Sequence, residues 1–536
     1  MMRGYKILIA VLMALMLFSG CGVQNTDLQD ELQGDEPSQA VVLQTDSKKP
    51  SENKMSIAMD VPTTLNPLYN TQKNVEQALY LIFSPLINVE ENGTISANIA
   101  HSWIVNESNT AITLTLDSTI KWHDGKNLTT DDVIFSIEQI QTIADTPYKK
   151  TVENIASMEK IDQTTIKIFY KQPFSGILQT LFFPVIPKHI YDVPESSAMT
   201  INPVGSGPYK FKSMTPLKHI QLEANQDYFK GVPKIAAVEV SIIPDEESSL
   251  HAFKQDLIDV VYTDITEWGK YANDKSSKIY ELTSNIYEFM GLNFNKTVFQ
   301  NANVRKALMH GLDREKMIYL YYLDHAAVTD TPISPASYLY DKGLSTQGYD
   351  KEKSKLLLTQ EGYERDEKTG LMTKNEIPLS FTLIVNTENQ DRIKIADEIK
   401  KMYKEIGVEV TVQELDRDTY LSKVQTRQYD AFLGGWQLSY ALDLSFAFHS
   451  SQAISGQNYI NYKDSKMDEL LQQSFLATES NILETYAALQ QFFTEQNPYI
   501  SLYFKKKVLL TKDKIVGDIK PTPLNVFANV ELWTIE

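Results

Sequence analysis

The chain has a single cysteine, Cys21, among its 536 residues, so no disulfide can form within it. Its stability has to come from a buried core. Runs of basic residues are missing as well. Lysine and arginine total 51 against 69 aspartates and glutamates, a net charge of −18. Binding a polyanion calls for a basic face, so nucleic acid is not an expected partner. His101, His123, His189, His219, His251, His310, His325 and His449 are the histidines, none paired at a metal-ligand spacing. No metal and no cofactor is expected. There is no Gly-x-Ser-x-Gly elbow, no His-Glu-x-x-His and no Ser-x-x-Lys in a credible context, so no catalytic residue is assigned and no enzyme is expected. Paired acids such as Asp131-Asp132 and Glu246-Glu247 read as helix starts or solvated surface.

Long apolar stretches are scarce too. Ile7–Phe18 is unbroken for 12 residues, too short to cross a bilayer as a helix. Arg3 and Lys6 precede it, and the small residues Ser19 and Gly20 lead from it to Cys21. Residues 1–20 therefore read as an export signal. Beyond Cys21 come seven acids (Asp27, Asp30, Glu31, Asp35, Glu36, Asp46, Glu52) against two bases (Lys48, Lys49), with no aromatic residue. Such a segment cannot bury enough surface to offset its ordering entropy, so 21–53 is expected to be a flexible tether.

From about residue 54 the composition is that of an ordinary globular chain, 42% hydrophobic and 22% charged overall. Strands are expected at 56–59, 87–89, 111–116, 164–170, 238–243, 257–262, 289–294, 381–385, 408–412, 500–504 and 508–510, from short or alternating apolar runs. Helices are expected at 75–82, 131–139, 304–312, 395–406, 467–475 and 482–493. Thr129 and Asp132 form a variant capping box, Asp313 is a cap, Gly407 is a stop, and Arg305 and Lys306 lie on a polar helix side. Pro203–Phe211 superficially resembles a phosphate loop but lacks the Gly-Lys-Ser/Thr ending, and reads as a turn returning to a sheet. The most suggestive stretch is Tyr429–Trp436, a buried strand running into Gly434, Gly435 and Trp436, followed by a ragged polar and aromatic segment through Ser439, Tyr440 and Asp443. Glycines there allow close approach to the backbone. The same stretch also reads as a core strand ending in a turn, with Trp436 as packing. With 28 tyrosines and 22 phenylalanines and no reactive constellation, an exported chain of this kind suits binding.

Several motifs together resemble the family 5 solute-binding proteins of ABC importers, the oligopeptide, dipeptide and nickel receptors. They are Leu65-Asn66-Pro67, Ile99–Trp103, Lys121–Gly125 with Leu128–Ile137, Pro203–Tyr209, Val304–Leu308 with Leu312–Arg314, Gly435-Trp436, and Asn461-Tyr462 before Met467–Leu471. They keep the family order. The N-terminus likewise resembles a bacterial lipoprotein signal, with Phe18 where the family pattern prefers leucine. The resemblance implies an α/β type II periplasmic-binding-protein fold, two lobes joined by paired hinge strands, with an extra domain inserted in the first. Lobe I would take 54–83, 200–290 and 513–536, the inserted domain 84–199, and lobe II 291–512. It further implies a monomer at the outer face of the bacterial cytoplasmic membrane, held by a lipid on Cys21, that closes on an oligopeptide and passes it to ABC permease subunits.

Gly435, Trp436, Ser439, Tyr440, Asp443 and Tyr69 are the candidate ligand-binding residues. In the short-peptide receptors an aspartate three residues after this tryptophan grips the ligand's α-ammonium; here Ser439 stands there. That replacement loses a charge-assisted bond of roughly 1.5–3 kcal/mol. The pattern from Trp436 through Asp443 to Gly456-Gln457-Asn458 looks more like the receptors for longer oligopeptides. Asp443 is an alternative ammonium partner or a loop cap. A nickel chelate, haem, an oligosaccharide or a signalling peptide remain alternative ligands on the same fold. An extracellular hydrolase would need Ser206 or Ser439 beside a histidine.

Overall fold

The structure, a computed structural model, describes residues 53–263, 268, 275–344 and 346–536. The export signal, Cys21 and the tether up to residue 52 lie outside the described residues.

The strands that organise the molecule are β1 (Lys54–Met59), β2 (Tyr209–Thr215), β3 (His219–Ala224), β4 (Ala237–Ile242), β5 (Val260–Thr263), β6 (Ser277–Leu292), β7 (Ala326–Val328), β8 (Ser380–Asn386), β9 (Glu409–Leu415), β10 (Ala431–Gln437) and β11 (Tyr499–Lys512). They join in one 11-stranded sheet ordered β9-β8-β10-β6-β11-β5-β1-β4-β3-β2, with β7 also paired to β11. β1 runs parallel to β4 and β5, and β8 parallel to β9 and β10, while β6 and β11 are antiparallel to each other. Each half of the sheet thus has a parallel nucleus, and the antiparallel pair β6–β11 runs through both.

The cores divide accordingly. One cluster gathers Met55, Ile57, Leu79, Phe83, Val238 and Val240 with residues of a separate four-stranded antiparallel sheet, including Ile112, Leu114, Ile166 and Ile168. Two other clusters lie on the β8–β10 side, around Leu383, Ile399 and Leu433, and around Phe289, Phe432 and Tyr499. β11 contributes to both sides: Leu509 to the first cluster, Ile500 and Leu502 to the second, Phe504 to the third.

Two expected strands, 500–504 and 508–510, are one strand of 14 residues, and the expected 289–294 is the end of a strand of 16. Lys505-Lys506-Lys507 read as an interruption, yet each ammonium finds a partner. Lys505 sits over the Tyr322 ring, Lys506 Nζ pairs with Glu281 Oε2 at 2.8 Å, and Lys507 sits over the Tyr262 ring. Opposite them the register breaks: Thr283 faces Lys506 but Tyr287 faces Phe504, so Ser284, Asn285 and Ile286 bulge out against Lys505. The Ser284 hydroxyl donates to Lys505 O at 2.8 Å and accepts from Ile286 N at 3.2 Å, which fixes the bulge.

Arg305 is a second correction. Expected on a polar helix side, it is 2% exposed. Its guanidinium donates to the carbonyls of Phe299, Gln300, Gln496 and Asn497 and covers the Phe294 ring. A rigid five-donor fork can satisfy several buried carbonyls at once, which a hydrophobicity pattern does not register.

The motif turns prove to be joints. Thr129 N donates to Asp132 Oδ2 at 2.9 Å at the start of helix Thr130–Thr142, and Asp132 also takes Trp122 Nε1 and Lys188 N. Lys121–Gly125 docks on Pro203–Tyr209 through His123, whose Nδ1 accepts from Gly205 N and whose Nε2 meets Gly207 O at 3.0 Å. Gly207 N donates to Ile82 O, and a Cβ on Gly205 or Gly207 would collide with the Ile82 backbone. Among the described residues no helix is long and apolar enough to cross a membrane.

Candidate functional site

β10 carries the Gly-Gly-Trp stretch, and the structure explains each residue by its neighbours. A Cβ on Gly434 would meet the Phe432 ring at 2.7 Å; one on Gly435 would meet Arg392 Nη2 at 2.6 Å and Glu288 Oε1 at 2.7 Å. Arg392 and Glu288 form a buried two-bond pair, at 2.8 and 3.0 Å. Trp436 is half-buried among aromatic rings, stacked on Phe289 and Tyr459 and edge-on to Phe446. Its indole N–H donates to the Tyr499 hydroxyl at 3.3 Å.

Past β10 the chain crosses toward the other half of the sheet. Leu438 N is held by Asn285 O in the bulge at 2.9 Å. The Ser439 hydroxyl accepts from Ala441 N at 3.1 Å. Tyr440 packs against the first core cluster, and its ring lies 3.6 Å from where a Cβ on Gly93 would stand. Its hydroxyl is buried with no hydrogen-bond partner among the described residues. Ala441 rests on Gly176, where any Cβ would come within 2.6 Å of Ala441 Cβ. Asp443 Oδ1 accepts from Ser445 N at 2.8 Å, which settles its local role as a loop cap.

The same seam is stitched elsewhere. Tyr338 N donates to Asn92 O at 2.8 Å, Gln179 Nε2 to the Tyr338 hydroxyl at 3.2 Å, and Ser175 N to Phe475 O at 2.7 Å. Phe174 stacks on Phe475, and Asn109 Nδ2 donates to Ala477 O.

Behind the seam lies a cavity of about 250 Å³. It is lined by the bulge, Ser284 to Ile286, by Glu76, Tyr148, Phe182 and Tyr262, and by Gln437 to Tyr440, and it is partly open to solvent. A smaller cavity of about 30 Å³ shares Asn285, Leu438, Ser439 and Tyr440 with it. Of the expected site residues, Ser439 and Tyr440 line the large cavity. Gly435, Trp436, Asp443 and Tyr69 do not. Tyr69 is half-buried near Glu195, where burial and then the Glu195 charge raise its pKa.

Glu76, Tyr148, Asn285 and Lys507 are lining residues that sequence reasoning missed. They come from four separate segments and share no motif. Neither serine named for a hydrolase meets a histidine base. The Ser206 hydroxyl is buried and has no partner among the described residues, while both nitrogens of the neighbouring His123 ring meet backbone atoms of Gly205 and Gly207.

Comparison with known proteins bears on what this arrangement serves. The family model for bacterial extracellular solute-binding proteins, family 5 (middle), matches residues 94–455. The oligopeptide-binding protein AppA of Bacillus subtilis is 28% identical over 88% of this chain and 89% of its own. Heme-binding protein A of Haemophilus influenzae is 22% identical over 78% of this chain and 81% of its own. The crystal structure of B. subtilis AppA in complex with a nonapeptide covers 90% of this chain and 99% of its own, with 27% identity and a TM-score of 0.64.

Proposed function

Because the chain belongs to the bacterial extracellular solute-binding proteins of family 5, with their α/β type II periplasmic-binding-protein fold, we propose that it captures extended oligopeptides and delivers them to the permease of an ABC importer. The observation that carries this is the cavity at the β6–β11 bulge, lined by a loop from one half that rests on glycines of the other. The similarity to a relative named for oligopeptide binding, across nearly its whole length, supports the ligand class.

Lobe I is assigned to 54–83, 200–290 and 513–536, the inserted domain to 84–199 and lobe II to 291–512. One core cluster joins lobe I to the inserted domain, and its separation from the two clusters on the β8–β10 side supports the boundary between these and lobe II. A cavity of about 250 Å³ is smaller than the roughly 300–1,000 Å³ of sites that enclose a drug-sized ligand. An extended peptide therefore enters only when the lobes part along the seam, and it stabilises the closed form by binding that form better. Ser439 and Tyr440 would touch it directly. Gly435, Trp436, Asp443 and Tyr69 would meet it in the parted cleft, where main-chain hydrogen bonds add the peptide as a strand. Lipid attachment at Cys21 would keep the monomer at the outer membrane face.

Calorimetry of the folded mature chain against peptides from dipeptide to nonapeptide, with haem and nickel–histidine alongside, tests this. Binding is expected within the peptide series. Binding of haem or nickel–histidine with none to any peptide would replace the ligand class and leave the fold assignment intact.

A further inference from the structure

A charged ligand terminus held in a partly enclosed cavity gains from a fixed counter-charge. Neither residue first considered for it supplies one here: Ser439 is uncharged, and Asp443, which caps Ser445 N, does not line the cavity. Among the described residues, Glu76 is the one carboxylate lining the large cavity.

Glu76 sits in the helix Lys73–Leu79, and its side chain keeps 12% exposure. Its Oε1 accepts from the Tyr148 hydroxyl at 2.9 Å and from the Tyr80 hydroxyl at 3.4 Å. Both tyrosines are buried. Burial, and then the Glu76 charge, push both hydroxyls well above the ordinary phenol range, so they stay donors. One carboxylate oxygen is thus held in place. The other meets Lys73 Nζ at 2.9 Å, on a lysine side chain 53% exposed. The lysine end of this pair is solvent-exposed, so another ammonium can compete for that oxygen, in a cavity that Lys507 also lines. Tyr148, Phe182, Tyr262 and Tyr440 line the same cavity, and aromatic rings can attract cations and pack apolar groups. Ser439 adds a polar group to this largely aromatic lining.

We infer that Glu76 anchors an ammonium group of the ligand in this cavity, the α-ammonium of a peptide or the side-chain ammonium of a lysine; the peptide source rests on the function proposed above. Glu76 then takes the part that the serine at 439 leaves open, from the opposite side of the cleft.

The test uses the mature chain and Glu76→Gln. Glutamine keeps an acceptor for both tyrosine hydroxyls, so the variant retains its fold, checked by thermal melting. Tyr148→Phe, which leaves the charge but frees it to move, serves as the second variant. Three peptides, Phe-Ala-Ala, N-acetyl-Phe-Ala-Ala and N-acetyl-Phe-Lys-Ala, are compared by calorimetry. Phenethylammonium and uncharged phenethyl alcohol are compared by saturation-transfer NMR.

In the wild type, free Phe-Ala-Ala is expected to bind at least about tenfold tighter than its acetylated form, the factor a charge-assisted bond supplies. In Glu76→Gln that ratio should fall to about twofold or less, and in Tyr148→Phe to an intermediate value. If the acetylated lysine peptide regains the affinity in a Glu76-dependent way, the ammonium read is a side chain's. If peptides bind and Glu76→Gln keeps the full preference, the Glu76 assignment is overturned while the peptide reading stands. If no tripeptide binds but phenethylammonium binds over the alcohol only when Glu76 is present, the anchor stands, and the peptide reading falls only if the series up to nonapeptides also fails to bind. Binding of neither probe class overturns the Glu76 anchor, and the longer peptides of that series decide the peptide reading separately.

Discussion

Gly435 is a glycine because Arg392 and Glu288 fill the space where a side chain would stand. That pair is the more consequential feature of the region. Glu288 retains 4% side-chain exposure and Arg392 18%, so removing the cation strands a buried carboxylate. Arg392→Met is expected to destabilise the chain by about 3 kcal/mol in urea unfolding, and adding Glu288→Leu should recover most of it. His123 offers a pH-dependent counterpart. Burial pulls its pKa from 6.5 down to about 4, and Gly205 N donates to its unprotonated Nδ1. The folded state therefore favours the neutral ring. Its stabilising contribution is complete above pH 6.5 and is lost as pH falls from there through about 4. Melting curves across that interval should fall more steeply for the wild type than for His123→Asn, by a difference on the order of 2 kcal/mol.

At the level of elements, the β6–β11 pair sets the site's position, and the bulge at Ser284–Ile286 lines it. Ser284→Ala removes the hydroxyl that ties the bulge to Lys505 O. A loss of about 1 kcal/mol is expected, with faster amide exchange confined to 283–287 and 504–507. Periodicity made many elements legible: the alternation over 111–116, the caps at Asp132 and Asp313, and the stop at Gly407, whose φ is +79°. It divided β11 at Lys505–Lys507 because a count of polar residues cannot see that a lysine ammonium sits over an aromatic ring. The loop after Trp436 was legible as a place of interest, and Ser439 and Tyr440 do line the cavity. Glu76 was not. One glutamate on a short helix carries no pattern, and only the fold brings it near Tyr148, far away in sequence.

For the whole molecule, the seam decides how the halves relate. Gly176→Val would force Ala441 outward against backbone that has no room to yield. Overpacking of this kind costs about 1–3 kcal/mol, here charged mainly to the closed form. Peptide affinity is expected to fall about tenfold or more by calorimetry, and the ligand-induced contraction in small-angle scattering should disappear. Cys21→Ser should move the protein from the membrane fraction to the soluble fraction without changing its affinity. The uneven strand pairing has its own outcome for motion. Three residues set against one interrupt the β6–β11 ladder that both halves share, so swinging them apart bends the pair at a break already present rather than snapping rungs. Gaping should thus be governed by the lip contacts, Tyr338 on Asn92 and Ser175 on Phe475, and loosening those alone would yield a protein that stands ajar yet melts at nearly the same temperature.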